Sequence, residues 1–145
     1  ISLGLNDARP PGGRVEASPD TYAANLAELV ERALQIDAAP VIATPSPRLD
    51  VSCGGSPAHE AMMPYAERAR QVAESYHLPL IDLYEEFVSQ DDLESLIPDR
   101  LHPGPRGHKL IADRFARTLI PLCLGGSFRR FGIDGAVNAR FAVCR

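Results

Sequence analysis

No apolar run in this 145-residue chain approaches the roughly 18 residues that a membrane-spanning helix requires. Basic charge is scarce as well. Fifteen Lys and Arg stand against nineteen Asp and Glu, a net charge of −4 with a pI near 5.5. That balance argues against a nucleic-acid or anionic-membrane surface. The three cysteines (Cys53, Cys123 and Cys144) are odd in number and widely spaced. They indicate neither a disulfide framework nor a zinc site, and they leave the compartment open. Internal repeats and low-complexity tracts are absent, the thirteen prolines clustering in loops. What is present is ordinary: 45% apolar and 23% charged residues, the make-up of one soluble globular domain. A chain of this length buries roughly two-thirds of its unfolded surface.

Three short apolar runs read as buried strands: Ile1 to Leu5, Pro40 to Pro45 and Leu78 to Leu83. Gly4 permits close backbone approach where the first run ends. Between the runs, Ser18-Pro19-Asp20 is a helix start, with an N-cap hydroxyl, Pro at the first helical position and an acid in the first turn. Tyr22, Leu26, Leu29, Val30 and Ala33 then recur at helical spacing to about Gln35. A second helix is predicted from Met63 to Tyr76, a helical turn near Tyr84 to Val88, and a last helix opened by Gly104-Pro105. The apolar face of that last helix is Ile111, Phe115, Leu119 and Leu122. Strand and helix alternate, which predicts an α/β fold with a parallel sheet flanked by helices. The loops Ala8 to Ala17 and Ser46 to Pro57 carry turn chemistry. Residues 123–145 show no clean period, and an added hairpin and a disordered tail both remain open. The chain starts at Ile1 rather than Met, inside an apparent strand, and the expectation is that a longer protein has lost its beginning.

Two motifs carry chemistry. In Asp99-Arg100-Leu101-His102 an acid stands three residues before an imidazole, in a turn followed by Pro103-Gly104. A carboxylate that close can fix the tautomer of an imidazole and stabilise its charged form, as an acyl-transfer base requires. At the other end, the apolar run breaks into Gly4-Leu5-Asn6-Asp7, and Asn6 supplies a neutral amide donor suited to an oxyanion. Ligands of parallel sheets bind beyond the carboxyl ends of the strands. Asn6 follows the first strand directly, and the Asp99–His102 loop, after the last strand, can reach the same rim. Each motif has a plainer rival: Asn6 closing a turn, Asp99 forming an Asx-turn beside an ordinary His. Asp7 reads as a structural turn acceptor, and His59, His77 and His108 as surface or packing residues. Cys53 reads as an incidental loop thiol, and no metal-ligand spacing is present.

Together these residues resemble the SGNH hydrolases, the GDSL esterase/lipase family. Gly4-Leu5-Asn6-Asp7 is similar to that family's Gly-x-Asn-Asp block, and Asp99-Arg100-Leu101-His102 to its Asp-x-x-His block. The resemblance covers Ile1 to about Leu122 and implies a three-layer, flavodoxin-like parallel sheet whose first strands are missing. It implies domain bounds of 1–122 for a partial SGNH domain and 123–145 for a tail. It also assigns roles: Asn6 donates to the oxyanion, His102 is the general base, Asp99 orients His102. The family's nucleophilic Gly-Asp-Ser block is not found in these residues. Ser46, Ser52 and Ser56 do not sit in a strand-to-helix nucleophile turn, so none is promoted. The implied activity of the intact protein is hydrolysis of a small-molecule or carbohydrate ester through a seryl acyl-enzyme, with no cofactor. A non-catalytic SGNH-like binding module is the alternative. A flavodoxin- or receiver-like domain would need a phosphate loop or an acidic cluster after the first strand, and neither is visible.

Overall fold

A computed structural model describes residues 1–8, 17–50, 57–124, 129–130 and 137–138 of the chain. The first helix, α1 (Pro19–Gln35), begins where the sequence places it: the Ser18 hydroxyl accepts from the Thr21 N–H. It is followed by strand β1 (Ile42–Ala43), a 3₁₀ turn (Ala58–Met62), α2 (Met63–Ser75) and strand β2 (Leu80–Ile81). Then come the short helices α3 (Leu83–Val88) and α4 (Leu93–Leu96) and the long α5 (Pro105–Leu124). Residues β3 (Arg129–Arg130) and β4 (Val137–Asn138) pair antiparallel in the segment that the sequence left open.

The central sheet is parallel. Ile42 pairs with Leu80 and Ala43 with Ile81, while Ser2 adds a parallel bridge to Ala43 on the other side. Alternation along each strand then feeds two layers. Ile42 and Leu80 join a core with Tyr22, Leu26 and Val30 of α1 and Ala66, Ala69 and Ala73 of α2. Ala43 and Ile81 pack on the other face against Ile111 and Phe115 of α5. Helices thus cover both faces of a parallel sheet, the expected architecture.

Two expectations shift. The run at Leu78 to Leu83 yields only a two-residue ladder, because Asp82 caps α3 through the Glu85 N–H and draws Leu83 into the helix. Among the described residues the first run has a strand neighbour on one side only, and it is half-buried to exposed rather than buried. Beyond the Ser2 bridge its hydrogen bonding to β1 comes from Ile1 (backbone N to Val41 O) and the Ala43 N–H to Ile1 O, and Leu3 is 52% exposed. A polar network ties the carboxyl ends of β1 and β2. Buried Thr44 donates to Asp82 Oδ1 at 3.1 Å and accepts from the Tyr84 N–H at 2.9 Å, while Arg70 grips both Asp82 oxygens. Burial pushes the Asp82 carboxyl up, and the Arg70 bond with the α3 N–H outweighs it, so the group stays below its ordinary range.

Two measurements check this packing. A Cβ at Gly107 of α5 would lie 2.5 Å from the Leu96 carbonyl oxygen, a rigid backbone atom. Gly107→Ala, a change that ordinarily stabilises a helix interior by up to about 1 kcal/mol, is therefore expected to destabilise by about 1–3 kcal/mol in urea unfolding. A stabilised variant would contradict the docking of α5. The second concerns the Ile1–Leu3 run, whose one-sided pairing among the described residues and exposed Leu3 side chain invite pairing with another chain. Residues 1–145 alone should elute as oligomers in size-exclusion chromatography, and Leu3→Lys should shift them toward the monomer. A monomeric parent would contradict it.

Candidate functional site

The Asp99–His102 turn assembles itself. The Asp99 carboxylate accepts from the Leu101 N–H at 2.9 Å and the His102 N–H at 2.6 Å through Oδ1, while Oδ2 meets His102 Nδ1 at 2.8 Å. Those two backbone N–H groups, and then the His102 ring, hold the Asp99 carboxyl down at about 2. Between the two residues Arg100 adopts a left-handed backbone, φ 67°, a conformation uncommon for a side-chain-bearing residue. Both site side chains are exposed, His102 at 64% and Asp99 at 56%. The Asx-turn proposed as the plain rival does form, and the ring contact forms with it: one carboxylate serves both. With Nδ1 engaged by Asp99, Nε2 is the nitrogen left for proton transfer.

Asn6 leaves the carboxyl end of the Ile1–Leu3 run in a turn closed by the backbone, the Asp7 N–H donating to the Gly4 carbonyl at 3.0 Å. Its side chain is thus not what closes the turn, and it makes no hydrogen bond among the described residues. Gly4, at φ 108°, is required here: a Cβ would lie 2.9 Å from the Tyr22 ring. Burial, then the Asp7 charge, pushes the Tyr22 phenol up to about 12. Asn6 lines a cavity of about 620 Å³ whose walls include Leu3, Leu26, Leu83, Ile111 and Phe115. Ser46, at the exit of β1, lines it too; Ser52, Ser56 and Cys53 lie outside the described residues.

Asp99 and His102 do not line that cavity. They join the Asn6 turn through residues the sequence reading passed over. Arg48, only 5% exposed, donates from Nη1 to the carbonyls of Leu5 (2.9 Å) and Ala8 (2.6 Å), which bracket Asn6 and Asp7. Its Nε and Nη2 grip Asp50, each at 2.7 Å. The next residue, Leu49, donates its N–H to the Arg100 carbonyl at 2.7 Å and accepts from the Arg100 guanidinium at 2.7 and 3.0 Å. The only sequence signal was an isolated Arg among prolines in a loop. Of the other histidines, His59 meets the Tyr84 hydroxyl at 3.1 Å, His77 follows α2 with φ 52°, and His108 is exposed on α5.

The model of the GDSL-like Lipase/Acylhydrolase family matches residues 1–110. This chain belongs to that family. Solved structures agree on the fold. A lipase/acylhydrolase from Enterococcus faecalis is similar at 21% identity and a TM-score of 0.65, over 81% of this chain and 57% of its own. The acetylxylan esterase Axe2 of Geobacillus stearothermophilus gives 24% and 0.68, covering 82% and 57%. LAE5, an alpha/beta hydrolase enzyme from the metagenome of Lake Arreo, gives 25% and 0.66, covering 81% and 56%. The GDSL-like chain therefore spans a little over half the length of these structures. No curated protein matches its sequence.

The electrostatics of the turn can be checked by titration. The Asp99 carboxyl has a folded value of about 2 against an ordinary 3.8. A depressed carboxylate contributes stability that is fully present above its unfolded value and is lost as pH falls through its folded value. The Asp99 carboxyl carbon, followed by NMR, should therefore titrate near 2, and its contribution should fade between about pH 4 and 2. A midpoint at or above 3.8 would contradict the turn.

Proposed function

We propose that the intact protein is a carboxylic ester hydrolase working through a seryl acyl-enzyme, and that His102, Asp99 and Asn6 are its catalytic residues in this chain. The observation that carries this reading is the 2.8 Å contact of Asp99 Oδ2 with His102 Nδ1. It frees Nε2 to take the proton of a serine hydroxyl as that oxygen attacks the ester carbonyl. The tetrahedral oxyanion accepts a hydrogen bond from the Asn6 amide, a donor not spent on its own turn. His102 then delivers the proton to the departing alcohol. In the second half it takes a proton from the water that attacks the acyl-enzyme, then returns it to the departing serine oxygen as the acid is released.

The serine is supplied from outside residues 1–145, which contain no Gly-Asp-Ser. Structures of Axe2 described as catalytic mutants carry Ala in place of a Ser and of an Asp. The same enzyme's description as an acetylxylan and acetyl-xylooligosaccharide esterase supports acetylated carbohydrate as the substrate class. We assign residues 1–122 to the partial catalytic domain and 123–145 to a tail, with α5 running on to Leu124 across that boundary. A non-catalytic module that binds a ligand at the same rim is the alternative, preferred if no Gly-Asp-Ser block precedes these residues in the gene product.

Kinetics of the full gene product separate the two. His102→Ala should lower p-nitrophenyl acetate hydrolysis at least about a thousandfold while the fold persists. Asn6→Ala should raise the barrier by about 2.7–4 kcal/mol, read in kcat with KM little changed. A parent without esterase activity, or a His102→Ala enzyme within tenfold of an active parent, would overturn the assignment.

A further inference from the structure

The geometry points to Arg48 as the positioning residue of this rim: one buried guanidinium that sets the Asn6 turn in register with the Asp99–His102 turn. The inference rests on the ester-hydrolase reading for its consequence, not for its geometry. Four hydrogen bonds leave the guanidinium, two to the carbonyls that bracket Asn6 and Asp7 and two to the Asp50 carboxylate. The carbonyls fix the Asn6 turn to the start of the 48–50 segment. Leu49 fixes the other end, through its reciprocal bonds with Arg100 and through its side chain, buried with Phe87, Leu96 and Ile97. Arg100 stands between Asp99 and His102, so loosening the Arg48 bonds frees the Asn6 turn to move relative to the Asp99–His102 turn.

The planar fork is what the task needs. Arginine presents five N–H donors in fixed directions, whereas a lysine ammonium is a single point that cannot hold a carboxylate by two atoms and span two carbonyls. The Asp50 carboxyl reflects the arrangement: the Arg48 bond holds it below its ordinary range against burial and then the Asp99 charge. The two carboxylates are thus within electrostatic reach of each other across the bridge. Arg48 touches no reacting atom. Its action is on distance, and a displacement near 1 Å between an oxyanion donor and a base costs about a hundredfold in rate.

Arg48→Lys in the full gene product tests this, read in two ways. Steady-state kinetics with p-nitrophenyl acetate should show kcat lowered at least about tenfold with KM within about threefold. In ¹⁵N spectra the Asn6 side-chain amide and the His102 ring should both move while the His77 ring keeps its position. A merely structural role would lower Tm and leave kcat per folded molecule unchanged. If Arg48→Lys fails to fold, Asp50→Asn, at a partly exposed position, should move the same signals in the same direction. Unmoved resonances, or an unchanged kcat beside moved resonances, overturn the inference. An esterase-inactive parent overturns the ester reading instead, and the resonances alone then decide the role of Arg48.

Discussion

A cation buried in a small domain has to be met by partners, and each nitrogen of the Arg48 guanidinium is. Burying a charge without partners is prohibitive, so the chain around it is obliged to bring a carboxylate and carbonyls to fixed places. Those places belong to two loops, the exit of the Ile1–Leu3 run and the exit of β1, and Leu49 then ties the second to the turn before α5. The strands themselves are only two residues long in their regular part. The rim above such a short sheet owes its shape to side-chain bonds rather than to the ladder. The Thr44–Asp82–Arg70 network does the same one strand further along, where it joins the ends of β1 and β2.

The chemistry assigned to this rim divides along the same lines. A carboxylate held near 2 stays ionised at neutral pH, so it can orient an imidazole and balance its charge without taking the proton itself. In the proposed reading, a neutral amide on a turn closed without it serves the oxyanion. The link between the two turns that the hydrogen bonds show passes through residues 48–50 and Arg100.

The local parts of this arrangement were legible in the sequence, because their partners are local. Ser18 and Pro19 announce α1, and Asp99 bonds within three residues of itself. The proline-bounded runs announce strands, but not their length, since a ladder extends only as far as a neighbouring strand is there to pair. Leu83 shows the competition: its apolar neighbours favour a strand, and the Asp82 cap wins it for α3. The first run looked buried because it is apolar, yet burial depends on what lies alongside, and Leu3 is exposed. Arg48 was not legible. Its carbonyl partners are 40 and 43 residues away, and no periodicity or spacing encodes a bond of that reach.

The most direct test is a crystal structure of the full gene product after reaction with a fluorophosphonate, whose adduct stands in for the tetrahedral intermediate. The account predicts phosphorus bound to a serine lying ahead of Ile1 in the chain. It predicts the phosphoryl oxygen within hydrogen-bond distance of the Asn6 amide, and His102 Nε2 facing the serine oxygen with Nδ1 still on Asp99. An adduct whose oxygen is held by other donors, or a serine that His102 does not reach, would contradict it.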